Sequence, residues 1–286
     1  MEKTMEMTIL GSGGCMGIPK PLCKCSVCKE ARRKGGRYRR TGPSAFIHDE
    51  HVLIDTPAEV CEQINRCGLD RIDHLLFTHL DPDHVEGIRA VEQMALDFRS
   101  WQAYPGKRIR LHLPEALDER IHEIRSVYGP LIDFYEGQGF VEREAFDETT
   151  RMGGLLVTAI PVERGAQTAF VLVFEDARNR IVYAPCDIKP FPEERPEVQH
   201  ADLLVIQPGI FEEGLKHGFH YPAGHISRQT LYTFEETLAL AGRIGARQIL
   251  FVHLEEYWNR GLDDYRALEE TLPNARFAYD GLTVRL

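Results

Sequence analysis

The sequence has no apolar run of the roughly 20 residues that a membrane-crossing helix requires, and no signal-like order of charged, apolar and small residues near its start. The cytoplasm is the compartment to expect. Basic charge is short: 34 Lys and Arg against 44 Asp and Glu leave a net charge of -10, which argues against broad nucleic-acid binding, although a local basic patch can override a global sign. Neither a P-loop nor a dinucleotide fingerprint is present. Gly11-Ser12-Gly13-Gly14 fits neither, and reads as a plain turn or as a place of close approach to a bound group. An even cysteine set is lacking too: seven in 286 residues do not make a secreted disulfide scaffold. With 43% hydrophobic residues the chain can fill one large core, so a single domain over residues 1–286 is expected. A monomer and a homodimer both remain open.

What the chain does have is a crowd of donors within residues 77–87. After the apolar Leu75-Leu76-Phe77 come His79, Asp81, Asp83 and His84, four candidate metal ligands within six residues. A tight turn after a buried strand would aim several of them into one pocket. Imidazole with carboxylate suits zinc, manganese or iron, and an open coordination position lets the ion activate water. The alternative is a solvated polar loop. A second crowd is Cys23-Lys24-Cys25-Ser26-Val27-Cys28. Its thiols can converge on one tetrahedral zinc, a structural site that stiffens an insertion around residues 15–40 once a distant residue supplies the fourth ligand. A redox Cys-x-x-Cys and free surface thiols are the other readings. Seven basic residues follow: Lys29, Arg32, Arg33, Lys34, Arg37, Arg39 and Arg40. They form either forks for a phosphate or a solvated loop.

Hydrophobic periodicity predicts strands at 5–10, 44–47, 51–54, 72–77, 108–113, 155–162, 169–174, 180–184, 203–206 and 248–252, and two short ones around Asp280-Gly281. Helices are predicted at 57–67, closed by Gly68, at 85–96, within 115–128, and at 228–244 with Ser227 as cap. The acidic stretch 140–148 is a candidate cover over the site mouth. This order is α/β and fits an αββα sandwich, two mixed sheets with helices outside.

His79-Leu80-Asp81-Pro82-Asp83-His84 resembles the His-x-His-x-Asp-His signature of the metallo-β-lactamase-fold hydrolases, with Asp81 where the family carries its second histidine. The resemblance runs from Thr8 to Leu286 and implies the metallo-β-lactamase sandwich. It implies that Asp55 lies under the cluster and orients a histidine, that Asp187 in Tyr183-Ala184-Pro185-Cys186-Asp187 bridges two metals, and that His253 is the last metal histidine. Asp83, His84, His253 and Asp187 match the family without substitution and are expected to hold the firmer ion. The third family histidine, after strand 155–162, has no counterpart. Glu163 and Arg164 stand there; Glu163 can ligate, whereas Arg has no lone pair to give and can only supply positive charge. Two departures in one site imply a first-site ion that is weak and better filled by manganese, or a site without an ion whose Arg164 pairs with a carboxylate.

The early Cys-x-Cys-x-x-Cys joined to this motif resembles, within the family, the phosphodiesterases of phosphonate breakdown that open ribose 1,2-cyclic phosphates. The metallo-β-lactamase-like protein of pyrroloquinoline quinone biosynthesis is a more distant likeness. The first implies metal-dependent hydrolysis of a small phosphorylated substrate, a structural zinc on Cys23, Cys25 and Cys28, and one or two zinc or manganese ions in the active site. It also implies that His225, in Gly224-His225-Ile226-Ser227, serves the leaving group. That subgroup completes its structural zinc with a histidine where this chain has Glu256, so Glu256, His217, His220 and Cys15 are all candidates. The second likeness implies other chemistry, on a thioester, lactone or quinone-cofactor precursor. A non-catalytic, metal-stabilised binding protein is the third reading.

Overall fold

A computed structural model describes residues 4–165 and 167–286. Its strands, in chain order, are β1 (Glu6–Gly11), β2 (Ser44–Ile47), β3 (Val52–Ile54), β4 (His74–Leu76), β5 (Leu96–Asp97), β6 (Gln102–Ala103), β7 (Ile109–Pro114), β8 (Arg125–Ser126), β9 (Gly129–Pro130), β10 (Val141–Phe146), β11 (Thr149–Met152), β12 (Leu155–Arg164), β13 (Gln167–Glu175), β14 (Arg180–Ala184), β15 (Leu203–Ile206), β16 (Gln248–Phe251), β17 (Ala275–Phe277) and β18 (Leu282–Arg285). They form two seven-stranded sheets, β10-β7-β4-β3-β2-β1-β18 and β11-β12-β13-β14-β15-β16-β17, and two small hairpins, β5-β6 and β8-β9. Both large sheets are mixed. In the first, β3, β4, β7 and β10 are parallel neighbours. In the second, β14 to β17 are.

Side chains alternate across a strand, and the central strands have no solvent face to spare. Leu172 and Phe174 of β13, and Leu203 and Val205 of β15, belong to the cluster between the sheets, with Met7, Ile9, Phe46 and Leu53 of the first sheet. Their alternates Val171, Val173, Leu204 and Ile206 face the other way. They meet Phe234, Leu240 and Ala241 from helix Phe234–Arg243 and Tyr265 from helix Leu262–Glu269. Val60, Leu117 and Tyr135, from the helices Val60–Cys67, Glu115–Ile121 and Leu131–Gly137, pack with the first sheet. Each such burial is worth about 1.5–3 kcal/mol. The result is the expected sandwich of two sheets between helical layers. Among the described residues, no helix is long and apolar enough to cross a membrane.

The expected elements depart from the structure in four places. Helix 85–96 is broken into Pro82–Val85 and Ala90–Ala95, because the chain presses Gly87 onto Pro57: a Cβ there would lie 2.1 Å from the Pro57 carbonyl oxygen. Helix 228–244 is likewise two pieces, Ser227–Thr230 and Phe234–Arg243. Ser227 does not cap it; Thr233 does, in a reciprocal box with Glu236. Stretch 140–148 is no lid, since Val141–Phe146 pairs in parallel with β7 and buries Val141 and Phe146. The turn at Asp280-Gly281 joins strands of opposite sheets, so Asp280 ties the sandwich together by accepting from Ser12 and Thr41.

Candidate metal centre

The donors meet beyond the ends of four strands. Asp55 follows β3, Thr78 to His84 follow β4, Cys186 and Asp187 follow β14, and His253 follows β16. Asp55, Asp187 and His253 have φ of 60°, 55° and 54°, a left-handed backbone that non-glycine residues rarely take. Three such residues at one locus indicate a geometry held by its surroundings for use.

Asp55 is completely buried below the cluster. Its Oδ1 accepts from the Thr78 backbone N–H at 2.8 Å, and its Oδ2 accepts from the Thr78 hydroxyl at 2.8 Å and from His84 Nδ1 at 2.9 Å. The Thr78 hydroxyl lies 3.0 Å from His79 Nδ1. Across the site His253 Nδ1 lies 3.2 Å from Glu255 Oε1 and 3.0 Å from Gln207 Nε2. With Nδ1 protonated toward Asp55 and Glu255, the Nε2 lone pairs of His84 and His253 face each other at 3.4 Å. Two acceptors at that distance repel unless a proton or a metal ion lies between them. Without an ion, the neighbouring Cys186 and the hydrogen bonds to Asp83 and Glu255 outweigh burial and raise His253 well above the usual imidazole range. Asp83 Oδ2 stands 3.5 Å from the first Nε2 and 3.3 Å from the second. Tetrahedral donors about 2.05 Å from zinc are about 3.3 Å apart, so these three fit one face of such an ion.

Electrostatics agree with ligand duty. Burial brings His84 down to about 4 and, with His84 beside it, His79 well below the usual range, so both are neutral and have lone pairs to give. Burial raises the Asp83 carboxyl, but its hydrogen bond with His253 outweighs that and holds Asp83 far below the ordinary value. Burial pushes Asp55 up to about 7 against the opposing His79 and Thr78.

His79 and Asp81 are also brought together, and Asp187, expected with Asp83, His84 and His253, falls in this group instead. His79 Nε2 lies 3.6 Å from Asp81 Oδ2 and 4.0 Å from Asp187 Oδ2. Arg164 reaches between the carboxylates: its Nη2 lies 3.0 Å from Asp187 and 3.3 Å from Asp81. Its Nε and Nη1 are buried without a hydrogen-bond partner among the described residues. Glu163 instead accepts from Thr168 on the exposed side.

A model of the beta-lactamase superfamily domain matches residues 50–254. The chain belongs to this superfamily. Coenzyme PQQ synthesis protein B of Methylorubrum extorquens is 26% identical over 324 residues, covering 99% of this chain and 100% of that one. An octanoyltransferase of Porphyromonas gingivalis is 23% identical over 285 residues, covering 97% of this chain and 51% of its own, so the present chain spans about half its length. Among solved structures, Zn(2+)-bound PqqB from Methylobacterium extorquens superposes with a TM-score of 0.76 at 21% identity, over 99% of this chain and 100% of that chain. A diphosphatase from the PhnP family does so with 0.74 at 23%, over 100% and 98%. These likenesses are of fold. Superfamily membership and the clustered donors make this a metallo-β-lactamase-fold hydrolase that uses metal.

In this superfamily member the thiols of Cys23, Cys25 and Cys28 converge with the Glu256 carboxylate. Cys28 Sγ lies 3.1 Å and Cys25 Sγ 3.7 Å from Glu256 Oε1. Backbone N–H groups of Lys20 and Cys28 donate to Cys28 and Cys25 sulfurs at 3.3 Å. The Cys25 backbone N–H and the Lys216 ammonium hold the Cys23 thiol down at about 6, ready to act as thiolate. Lys216 donates to Cys23 at 3.2 Å and pairs with Glu256. His217 and His220 are exposed and outside the converging set, although His217 lines the same cavity as Cys23 and Glu256, and Cys15 donates to Glu255. The basic run is structural where it is tied: Arg32 donates to the Cys23 and Lys20 carbonyls, Lys34 pairs with Glu30 and Asp263, and buried Arg40 donates to Ser12 and Ala278. Gly14 has its own reason: a Cβ there would sit 2.2 Å from the Glu255 carboxylate that backs His253.

His225 is not brought into the donor cluster. It rests edge-on against Tyr221, with ring centres 4.9 Å apart, and lines a cavity of about 820 Å³ with Phe219, Tyr257 and Lys216. A smaller cavity of about 270 Å³ opens on His79 and Asp81. Sequence reasoning missed Thr78, Gln207 and Glu255, which orient the histidines, and gave Cys186 no role. Pro185-Cys186-Asp187 and His253-Leu254-Glu255 were the available signals, both beside a predicted ligand.

Proposed function

We propose that this chain hydrolyses a small phosphodiester, with one catalytic ion held by Asp83, His84 and His253 and with Arg164 supplying the positive charge of the altered first site. The observation that carries this reading is Arg164, a partly buried guanidinium pinned to Asp81 and Asp187 beside three metal-capable donors. A fixed cation there, with two further nitrogens free of partners among the described residues, suits an anionic phosphoryl group better than a neutral lactone or thioester. The diphosphatase likeness supports the same class, and the small cavity over His79 and Asp81 supports a small substrate.

A zinc or manganese ion at this centre would supply the charge that acidifies a water molecule and draws electron density from the phosphoryl oxygens. The chain's own residues do the rest. Asp55, through His84, and Glu255, through His253, keep both imidazoles aimed inward. Asp187 holds Arg164 in place and offers a carboxylate toward His79. His225, which the family resemblance assigns to the leaving group and which lines a separate cavity with Tyr257 and Lys216, would donate a proton to the departing alcohol. His225→Ala should therefore lower kcat about 100-fold on an alkyl phosphodiester and hardly at all on a nitrophenyl ester, whose leaving group needs no proton. Equal losses on both would place His225 in binding instead.

The cysteine site, in this reading, carries a structural zinc on Cys23, Cys25, Cys28 and Glu256, with Lys216 offsetting the charge of four anionic donors. Cys25→Ser should lose one zinc per chain and melt at a lower temperature. An unchanged zinc count in the purified variant would rule the site out.

The test of the whole reading is turnover by chelated and reloaded protein on a nitrophenyl phosphodiester, a ribose cyclic phosphate, an oligonucleotide, a lactone and a thioester. Metal-dependent turnover confined to the small phosphodiesters is expected. Turnover of the lactone or thioester alone would transfer the site to the second reading. Metal binding without turnover of any of them would make it a binding protein.

A further inference from the structure

The cavity of about 820 Å³ that His225 lines is walled by rings. Phe219, Tyr221 and His225 stand edge-to-face in every pairing: Phe219–Tyr221 at 5.1 Å and 79°, Tyr221–His225 at 4.9 Å and 86°, Phe219–His225 at 5.8 Å and 70°. Tyr257 adds a further ring, its centre 6.5 Å from that of Tyr221. Two wall residues leave apolar surface open to water: Leu22 is 95% exposed and Phe219 42%. Such surface in a concave, aromatic-lined site is what a ligand covers on binding. One short segment ties this cavity to the metal centre. Glu255 backs His253 at 3.2 Å, Tyr257 two residues on lines the cavity, and Tyr221 and Tyr257 both lie within electrostatic reach of Glu255. The smaller cavity opens at the His79 and Asp81 end of the same donor cluster.

We propose that the ring-lined cavity binds the departing arm of the substrate, and that this arm is an aromatic alcohol carried on an acyclic phosphodiester. This deepens the phosphodiester reading above and rests on it. The ring geometry carries the choice of an aromatic group. Aromatic pairs prefer offset-stacked or edge-to-face contact, with ring centres about 4.5–7 Å apart. Walls set nearly at right angles to one another offer an inserted ring both a face to stack on and an edge to meet, a match that a saturated ring cannot use. His225 is part of this wall. The Ser227 backbone N–H donates to its Nδ1 at 3.2 Å, so the neutral imidazole carries its hydrogen on Nε2. The residue assigned to the departing oxygen is thus one of those that would hold the arm. In the step itself water forms the new bond to phosphorus, the P–O bond to the arm breaks, and the arm leaves as the free alcohol with a proton. A cyclic phosphate keeps its departing oxygen on the retained sugar and brings no separate arm to fill the cavity.

The experiment compares three diesters of ethyl phosphate on the metal-loaded protein, with ethanol, 2-cyclohexylethanol or 2-phenylethanol as the second arm. The three alcohols are of similar acidity, so differences in kcat/KM report how the arm is held. The phenylethyl diester should be turned over at least about 30-fold better than diethyl phosphate, with release of 2-phenylethanol, and about fivefold better than the cyclohexylethyl diester. Phe219→Ala should shrink the first ratio about tenfold, and Phe219→Tyr should keep it. Equal kcat/KM for the phenylethyl and diethyl esters, with both turned over, would overturn the proposal and leave the phosphodiester reading standing. A cyclohexylethyl ester that matches the phenylethyl ester would overturn the aromatic class. If no ester is turned over, the phosphodiester reading falls and binding alone judges the cavity, with 2-(2-naphthyl)ethanol as the fluorescent probe. A saturable rise in its anisotropy that Phe219→Ala weakens would uphold a ring site, and no saturable rise would overturn it. The comparison on the unaltered protein decides the matter even if Phe219→Ala fails to fold.

Discussion

His84→Ala is expected to abolish phosphodiester turnover, by a factor of about 10⁴ or more, and to remove one ion per chain while the cysteine zinc stays. His84 is the residue on which the centre converges. Its Nε2 faces His253, Asp83 and Cys186 within 3.5 Å, and its Nδ1 is fixed by Asp55 at 2.9 Å. Alanine removes a donor from the middle of the set, and the remaining donors cannot close around an ion. It also leaves Asp55 buried without its imidazole partner. That carboxyl already sits near 7 through burial, so it takes up a proton instead of staying as an isolated charge. The fold should therefore survive with a reduced melting temperature, and circular dichroism separates this from collapse. Metal content, measured before and after mild chelation, is the primary readout. A variant with full turnover and an unchanged ion count would reject Asp83, His84 and His253 as the centre.

How much of this was readable in advance follows from where each contact lies along the chain. His79, Asp81, Asp83 and His84 sit in one short loop after a buried strand, so local pattern alone exposed them. The sheets were legible for the same reason: continuous apolar runs in β13, β15 and β16 write the two-sided burial into the sequence. Asp55, Asp187 and His253 are single residues at strand ends, with no local signature, and came only through the family resemblance. The contacts left unread are those made across long separations. Cys186 meets His84 102 positions away, and although one of the two readings of the altered site paired Arg164 with a carboxylate, its partner Asp81 lies 83 positions away and could not be named. In sequence a cysteine after Tyr183-Ala184-Pro185 looks like a strand-end hydrophobe. The two broken helices failed for another reason. Each was a periodic run in which one tertiary demand, the Gly87–Pro57 approach and the pairing of Ile210 with Thr233, overrode the period.

Arg164→Ala should lower phosphodiester kcat about 1,000-fold and, in the same protein, create a binding place for a second divalent ion. The loss follows from the proposed role: a preorganised cation aimed at developing phosphoryl charge in a dry site contributes about 10²–10³ in rate, and Arg forks at phosphoryl groups reach more. The gain follows from the pairing. Nη2 is held by both Asp81 and Asp187, so removing the guanidinium leaves two carboxylates beside His79 with no fixed cation. An oxygen-rich set of that kind favours manganese over zinc. Breaking a pair in which Arg164 is 12% exposed and Asp187 19% should also cost stability, and added manganese should return part of it by binding the folded state alone. The melting temperature of Arg164→Ala should thus rise with manganese far more than that of the unaltered protein. Arg164→Lys, which keeps the charge but loses the fork, should fall between the two in rate and take up no extra ion. If Arg164→Ala turns over normally and binds no additional manganese, Arg164 is only a structural tie between β12 and the metal loop, and the phosphoryl reading loses the observation on which it stands.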